Sequence, residues 1–298
     1  MMKLINFSNQ LAAGPKNIAL NFIKEILANN KDHKYIFLVP SLDEYLNFND
    51  TDNASFVFVE IGDGLMGKII KTVKVNWLLI SKICREEKID GINVTVPFKK
   101  MVIPFLDELS EEAKISQSVN TIYKKDNKII GDNTDIEGFK LSLEKTGHKI
   151  KNKKALVLGA GGVVSSIIIA LKKMQIKKIY LSNRTELKAI ELKKSFSEIE
   201  IIKWGDILDF DIIINATSIG LGVKDEINID YKNISQDKFF YDVIYNPKET
   251  NFLKKAKNYG AQIENGKMMF VYQAQKAFFI WHNILPVVDE ETLNLLDI

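Results

Sequence analysis

Three groups of residues in this 298-residue chain have the types and spacing that chemistry needs. The first is Gly159-Ala160-Gly161-Gly162, which follows the apolar run Ala155–Leu158 and precedes a helical pattern reaching about Met174. Glycines between a strand and a helix let the backbone approach a pyrophosphate, which then rests on the amides of the helix N-terminus. An ordinary tight turn uses the same glycines. The sixth position of G-x-G-x-x-G/A is the bulkier Val164, which predicts a helix set slightly further from the sheet. The next strand ends in Ser182-Asn183-Arg184-Thr185, about 22 residues after Gly161. An acid placed there reads a ribose 2′-hydroxyl, whereas a guanidinium pairs with a 2′-phosphate and stacks on adenine. Arg184, with Lys188 one turn on, therefore points to NADP over NAD. The plainer alternatives are a solvated Arg184 and a Thr185 that only caps the next helix.

The second group is Asn93-Val94-Thr95-Val96-Pro97-Phe98-Lys99. Pro97 stops a strand and suits the first position of a helix. Lys99 then falls in that helix's first turn, where the macrodipole disfavours a cation and favours proton release. A solvated lysine at a helix start is the plainer alternative, and Lys100 is an obvious decoy. The third group is Asn120-Thr121 followed by Gly131-Asp132-Asn133-Thr134-Asp135-Ile136-Glu137-Gly138. Asp132 and Asp135 flank a turn into a helix, and either acid serves equally well as a cap. Facing Lys99, Asp135 would hold that lysine charged and relay its proton.

The elements that must position these groups read as α/β throughout. From about Lys151, short apolar runs alternate with helical patterns: Ala155–Leu158, Lys178–Leu181, Glu198–Ile202, Asp211–Asn215 and Phe239–Ile244. That alternation predicts βαβ units and a doubly wound, Rossmann-type parallel sheet. Earlier, Lys3–Phe7, Tyr35–Val39, Ser55–Ile61 and Ile92–Val96 read as strands, with helices over Pro15–Asn29 and Val75–Glu87. The pattern divides into two α/β domains with a cleft between them. The first covers residues 1–132 and is completed by the C-terminal helix, 266–298; the second covers 133–265. Ligands of such sheets bind outside the carboxyl ends of the strands. Lys267–Ile284 reads as one helix, apolar on most faces and expected to be buried between the domains. Phe278, Phe279 and Trp281 on it read as core, whereas Gln273 is a polar side chain that needs a partner, such as a substrate hydroxyl.

Composition narrows the function classes. Forty-one Lys and Arg against 38 Asp and Glu leave a formal charge of +3, too balanced to argue for nucleic acid or membrane. Three dispersed histidines form no ligand cluster, so no metal site is expected. The single Cys84 forms no internal disulfide, and neither a secretory signal nor an apolar span is evident, which predicts a cytoplasmic protein. The expected partner is a small-molecule substrate, with a monomer or a homodimer as the assembly.

Together with Asn215-Ala216-Thr217-Ser218, Tyr241-Asp242-Val243-Ile244-Tyr245-Asn246-Pro247-Lys248-Glu249-Thr250 and Gly266-Lys267-Met268-Met269-Phe270-Val271-Tyr272-Gln273-Ala274, these motifs resemble the shikimate dehydrogenase family. The resemblance runs from about Asp90 to Trp281. It implies NADP-linked interconversion of 3-dehydroshikimate and shikimate in aromatic amino-acid (chorismate) biosynthesis. By that resemblance Lys99 and Asp135 are the catalytic pair, while Thr95, Asn120, Tyr245 and Gln273 line the substrate. Gly159, Gly161, Gly162, Asn183, Arg184 and Thr185 would hold the cofactor, with Gly266 and Met269 beside the nicotinamide. One departure stands out: Ala12 and Gly14 occupy the places of two serines that bind the substrate carboxylate in the family. This keeps open a dehydrogenase of a related cyclic acid, such as quinate or an aminoshikimate, and a non-catalytic NADP-binding relative. Residues 1–88 depart from the family and weakly resemble the start of a GT-B glycosyltransferase.

Overall fold

The computed structural model describes residues 91–95, 98–207, 209–222, 225–231 and 234–294, and the backbone of strands 2–6, 34–39 and 54–58. The chain forms two compact units, one of residues 1–133 with 277–284, the other of 134–276 with 285–297. The helices expected over Pro15–Asn29 and Val75–Glu87, and the positions Ala12, Gly14 and Cys84, lie outside the described residues.

In the first unit, strands β1 (Met2–Asn6), β2 (Lys34–Val39), β3 (Ala54–Phe58) and β4 (Gly91–Asn93) are joined by β5 (Glu108–Leu109), β6 (Thr121–Lys125) and β7 (Lys128–Asp132). The sheet order is β3-β2-β1-β4-β6-β7-β5. The first four strands run parallel, β6 alone runs against them, antiparallel to both β4 and β7, and β5 pairs parallel with β7. Helix α1 (Glu111–Ser116) is capped by Ser110, whose hydroxyl accepts from the Ala113 amide. Ile92, Val94, Val102, Ala113, Val119, Ile122 and Ile129 form the core. Gly91 lies against the Trp281 indole, where a Cβ would stand 2.1 Å from Nε1. The indole N–H donates to the Ile122 carbonyl at 3.1 Å, satisfying the one polar atom of the ring.

The second unit holds α2 (Asp135–Lys145), β8 (Lys154–Leu158), α3 (Val164–Lys173), β9 (Lys178–Ser182), α4 (Glu186–Ser195), β10 (Glu200–Ile202), β11 (Ile212–Asn215), β12 (Phe239–Asp242), α5 (Asn251–Asn258) and β13 (Gln262–Glu264). Its sheet is parallel throughout, in the order β10-β9-β8-β11-β12-β13. That is the doubly wound order, with its switch point between β8 and β11. Alternate residues of each strand feed opposite faces. Ala155, Val157, Ile179, Leu181, Ile212 and Ile214 pack into one core, and Leu156, Leu158, Tyr180, Ile213 and Phe240 into the other. Burial on both faces is why the strands read as unbroken apolar runs.

Helix α6 (Lys267–His282) begins in the second unit and ends in the first; α7 (Glu290–Asn294) follows. The expectation that Phe278 and Phe279 of α6 belong to the core is corrected by their exposure. Among its residues Met269, Val271 and Ala277 are buried, whereas Phe278 and Phe279 remain 38% and 36% exposed. A period-3.6 apolar pattern marks a helix, but not how many of its faces find a partner.

Candidate active site

The glycine turn stands at the carboxyl end of β8, next to the switch point. Gly159 has φ +112°, and a Cβ there would sit 2.8 Å from the Ala216 carbonyl oxygen. Its amide donates to the Ser182 carbonyl at 2.8 Å, so the turn is wedged between the ends of β9 and β11. Gly161 differs: it is exposed, and a Cβ would meet only the Ala216 oxygen, at 3.9 Å. The space before it is open, as close approach of a ligand requires. Helix α3 then starts without a side-chain cap and with no acid in its first turn, leaving its positive end for an anion. Val164, the bulky sixth position, is fully buried in the core.

At the end of β9, Asn183 is half-buried and Arg184 and Thr185 are exposed. The Asn183 side-chain amide donates to the Thr185 carbonyl at 2.7 Å and shapes the loop. Thr185 occupies the N-cap position of α4, yet its hydroxyl makes no capping bond. The plainer reading of Thr185 as a cap therefore has no bond behind it. Among the described residues no carboxylate pairs with Arg184.

In the first unit, Thr95, Lys99 and Asn120 gather where β4 ends and β6 begins. The Asn120 carbonyl accepts from the Val94 amide at 2.7 Å, and the Lys99 carbonyl accepts from the Val119 amide at 2.8 Å. Thr95 is exposed, Lys99 half-buried and Asn120 buried. The helix expected to start at Pro97 is corrected. A single helical turn, closed by the Val102 amide on the Phe98 carbonyl, leads into a 3₁₀ turn over Ile103–Phe105. Pro104 has no N–H to give and would clash with the Lys100 carbonyl four residues back, so the turn does not continue as an α-helix. So short a turn carries no α-helix macrodipole to act on Lys99. Asp132 accepts from the Ser110 hydroxyl at 2.5 Å and the Asn133 amide at 2.7 Å, a structural role.

Asp135 is the first residue of α2 and only 5% exposed; the N-cap position belongs to Thr134. One turn on, Gly138 lets α2 press against α6. A Cβ there would stand 2.8 Å from the Met269 carbonyl oxygen and 2.9 Å from the Gln273 amide nitrogen. Asp135 and Gln273 thus ride on two touching helices, whose contact also brings the Lys276 ammonium 3.6 Å from Glu137. Gln273 is half-buried, and its amide donates to the Phe270 carbonyl at 2.9 Å. Tyr245 stacks on Phe270 at 4.9 Å, and burial pushes its phenol up from the ordinary value. Gly266 admits no side chain, since a Cβ would lie 2.1 Å from the Val243 oxygen. Met269 is 6% exposed and belongs to the core.

A family model described as the shikimate dehydrogenase substrate binding domain matches residues 71–122, and one described as shikimate / quinate 5-dehydrogenase matches residues 140–251. The chain is 81% identical over 214 residues to the shikimate dehydrogenase (NADP(+)) of Pelagibacter ubique, covering 72% of this chain and 81% of that one. The chain belongs to the shikimate dehydrogenase family. A second member of the family, from Caldicellulosiruptor bescii, is 40% identical over 226 residues, 73% of this chain and 78% of its own. Among solved structures, the Aquifex aeolicus shikimate dehydrogenase superposes with TM-score 0.70 at 32% identity, covering 99% of this chain and 95% of that one. A shikimate dehydrogenase in complex with NADP+ superposes with TM-score 0.75 at 29% identity, covering 99% and 94%. The first match begins at residue 71, so the shikimate dehydrogenase likeness reaches further back than the motifs from Asp90 alone indicate.

Sequence reasoning assigned no role to a buried network beneath these loops. Asn215 and Asp242, the last residues of β11 and β12, are both fully buried. Asp242 accepts from the Asn215 amide at 3.0 Å, the Ile244 N–H at 3.0 Å and the Thr250 hydroxyl at 2.7 Å. Asn215 in turn accepts from the amide and hydroxyl of Thr217 at 3.0 and 2.7 Å. Burial pushes the Asp242 carboxyl up to about 6, against the pull of its donors. The signal was present in the sequence: two apolar strands, IIIN and FFYD, each close on a polar residue.

Proposed function

We propose that this chain is an NADP-dependent oxidoreductase that interconverts 3-dehydroshikimate and shikimate by hydride transfer, a step of aromatic amino-acid biosynthesis. The observation that carries it is the 81% identity to the Pelagibacter ubique enzyme, read with an open glycine turn at the switch point of the sheet. Residues 133–265 hold the cofactor, and 1–132 with 266–298 bind the substrate. Gly159, Gly161 and Gly162 let the turn accept the pyrophosphate, and Asn183, Arg184 and Thr185 receive the adenosine end. Bound NADPH supplies the hydride that reduces the ketone carbon. Lys99 donates a hydrogen bond to the ketone oxygen and a proton as that oxygen becomes an alkoxide. Asp135 orients the ammonium and relays a solvent proton back to the lysine after the transfer, while Thr95, Asn120, Tyr245 and Gln273 line the ring. Gly266 and Met269 flank the nicotinamide. An NADPH-consuming enzyme with one cysteine works in a reducing cytoplasm. Among the described residues no helix is long and apolar enough to cross a membrane.

The test is spectrophotometric oxidation of NADPH and NADH against 3-dehydroshikimate, with shikimate, quinate and an aminoshikimate in the reverse direction. Turnover of 3-dehydroshikimate with preference for NADPH is expected. A higher kcat/KM on another acid would reassign the substrate, as Ala12 and Gly14 allow. Cofactor binding without turnover on any of them would remove catalysis.

A further inference from the structure

The doubly wound sheet distributes its charges unevenly. At the amino ends of its strands the lysines are paired with acids: Lys154 with Asp209 at 2.6 Å, Lys153 with Asp211 at 3.0 Å, and Lys178 of β9 with Glu200 of β10 at 2.9 Å. At the carboxyl ends of β9 and β10 the pattern reverses. Arg184, Lys188 and Lys203 are all exposed, and among the described residues none of them has a carboxylate partner. Glu186 and Asp206 lie close in sequence, yet neither pairs with any of the three.

Lys203 is placed by the register. Ser182 of β9 lies opposite Ile202 of β10, so Lys203 follows beside Asn183, on the strand adjoining the one that leads to Arg184. Adjacent strands run about 4.8 Å apart, within the reach of a four-carbon side chain. The backbone there is fixed as well. The fully buried Ser182 donates its hydroxyl to the Lys203 carbonyl at 3.1 Å, and the Asp206 amide donates to the same oxygen at 3.1 Å. Three unpaired cations around one strand end raise the local potential for a dianion, and the 2′-phosphate is the dianion that separates NADP from NAD.

We propose that Lys203 is a specificity-determining residue of the cofactor site: with Arg184 and Lys188 it receives the 2′-phosphate, and it raises preference for NADP over NAD. The inference rests on the reading that Arg184 marks the 2′-phosphate position. Calorimetric titration with adenosine 2′,5′-bisphosphate and with 5′-AMP separates the phosphate from the rest of the ligand and needs no turnover. Lys203→Gln should weaken the bisphosphate about five- to tenfold, with a shallower salt dependence, and leave 5′-AMP unchanged. If Arg184→Gln weakens the bisphosphate and Lys203→Gln does not, or if Lys203→Gln weakens both ligands alike, the assignment of Lys203 is wrong. If neither substitution discriminates the two ligands, the 2′-phosphate lies elsewhere and the reading of Arg184 fails together with it.

Discussion

The side-chain amide of Asn215 donates to the Asp242 carboxylate at 3.0 Å, joining the ends of two neighbouring strands that are buried along their whole length. Through that pair, the loop after β11 and the loop carrying Tyr245 are set as one body. Thr250 extends it: the hydroxyl that donates to Asp242 also accepts from the Leu253 amide and caps α5. Replacing Asp242 by Ala strands the Asn215, Ile244 and Thr250 donors in a dry interior. A loss of roughly 3–5 kcal/mol is expected, read by denaturant unfolding.

Asp242→Asn tests the charge separately from the shape. Burial raises the carboxyl from 3.8 to about 6, so the folded state holds the proton through a range where the unfolded chain has released it. Stability from this group is therefore complete below pH 4 and is lost as pH rises to about 6. A shift of that size is worth roughly 3 kcal/mol. The Asn variant keeps the hydrogen-bonding shape and cannot ionise. Relative to the parent it should gain stability between pH 4 and 6.5 and hold the gain above. Parallel stability curves across that window would show that Asp242 does not titrate there.

Lys99→Ala removes the proposed proton donor from a turn tied in place by the backbone bonds of Val94 to Asn120 and Val119 to Lys99. Because those bonds use main-chain atoms, folding should be nearly untouched while kcat falls by about 10²–10⁴-fold. Cofactor affinity, measured by fluorescence titration of NADPH, should stay within about twofold. Normal turnover in the variant would take Lys99 out of the mechanism.

How much of this was readable beforehand depended on burial. The strands of the second unit are covered on both faces, so Ala155–Leu158 and Lys178–Leu181 read as apolar runs within one residue of β8 and β9. The β6–β7 hairpin escaped because its lysine-rich strands alternate weakly and its tip is Asp126-Asn127. Both tip residues have positive φ, 49° and 64°, as a two-residue hairpin turn demands, but without the usual glycine. At Lys99 the local signal of Pro97 predicted a helix start, and Pro104, seven residues further on, ended it before it could form. The glycines of the cofactor turn were evident as a motif, whereas their unequal surroundings come only from packing. Residues that close a strand on a polar side chain, Asn215 and Asp242, carry a signal that propensity alone does not weigh.

Gly266 and Gly161 both belong to the proposed cofactor site, but they are glycines for different reasons. A methyl on Gly266 would run into the Val243 backbone, at 2.1 Å from its oxygen, where no flexible side chain can yield. Gly266→Ala should therefore cost on the order of 3 kcal/mol of stability and disturb the start of α6. A methyl on Gly161 enters open space, so Gly161→Ala should change stability by no more than about 0.5 kcal/mol. Its effect should fall on the ligand, because the methyl occupies the approach to the turn, and NADPH binding should weaken at least tenfold. Thermal melts with and without NADPH read both quantities: the apo melt separates Gly266→Ala from the parent, and the ligand-induced rise separates Gly161→Ala. A Gly161→Ala protein with the parent's full ligand-induced rise would mean that the pyrophosphate does not pass over this turn.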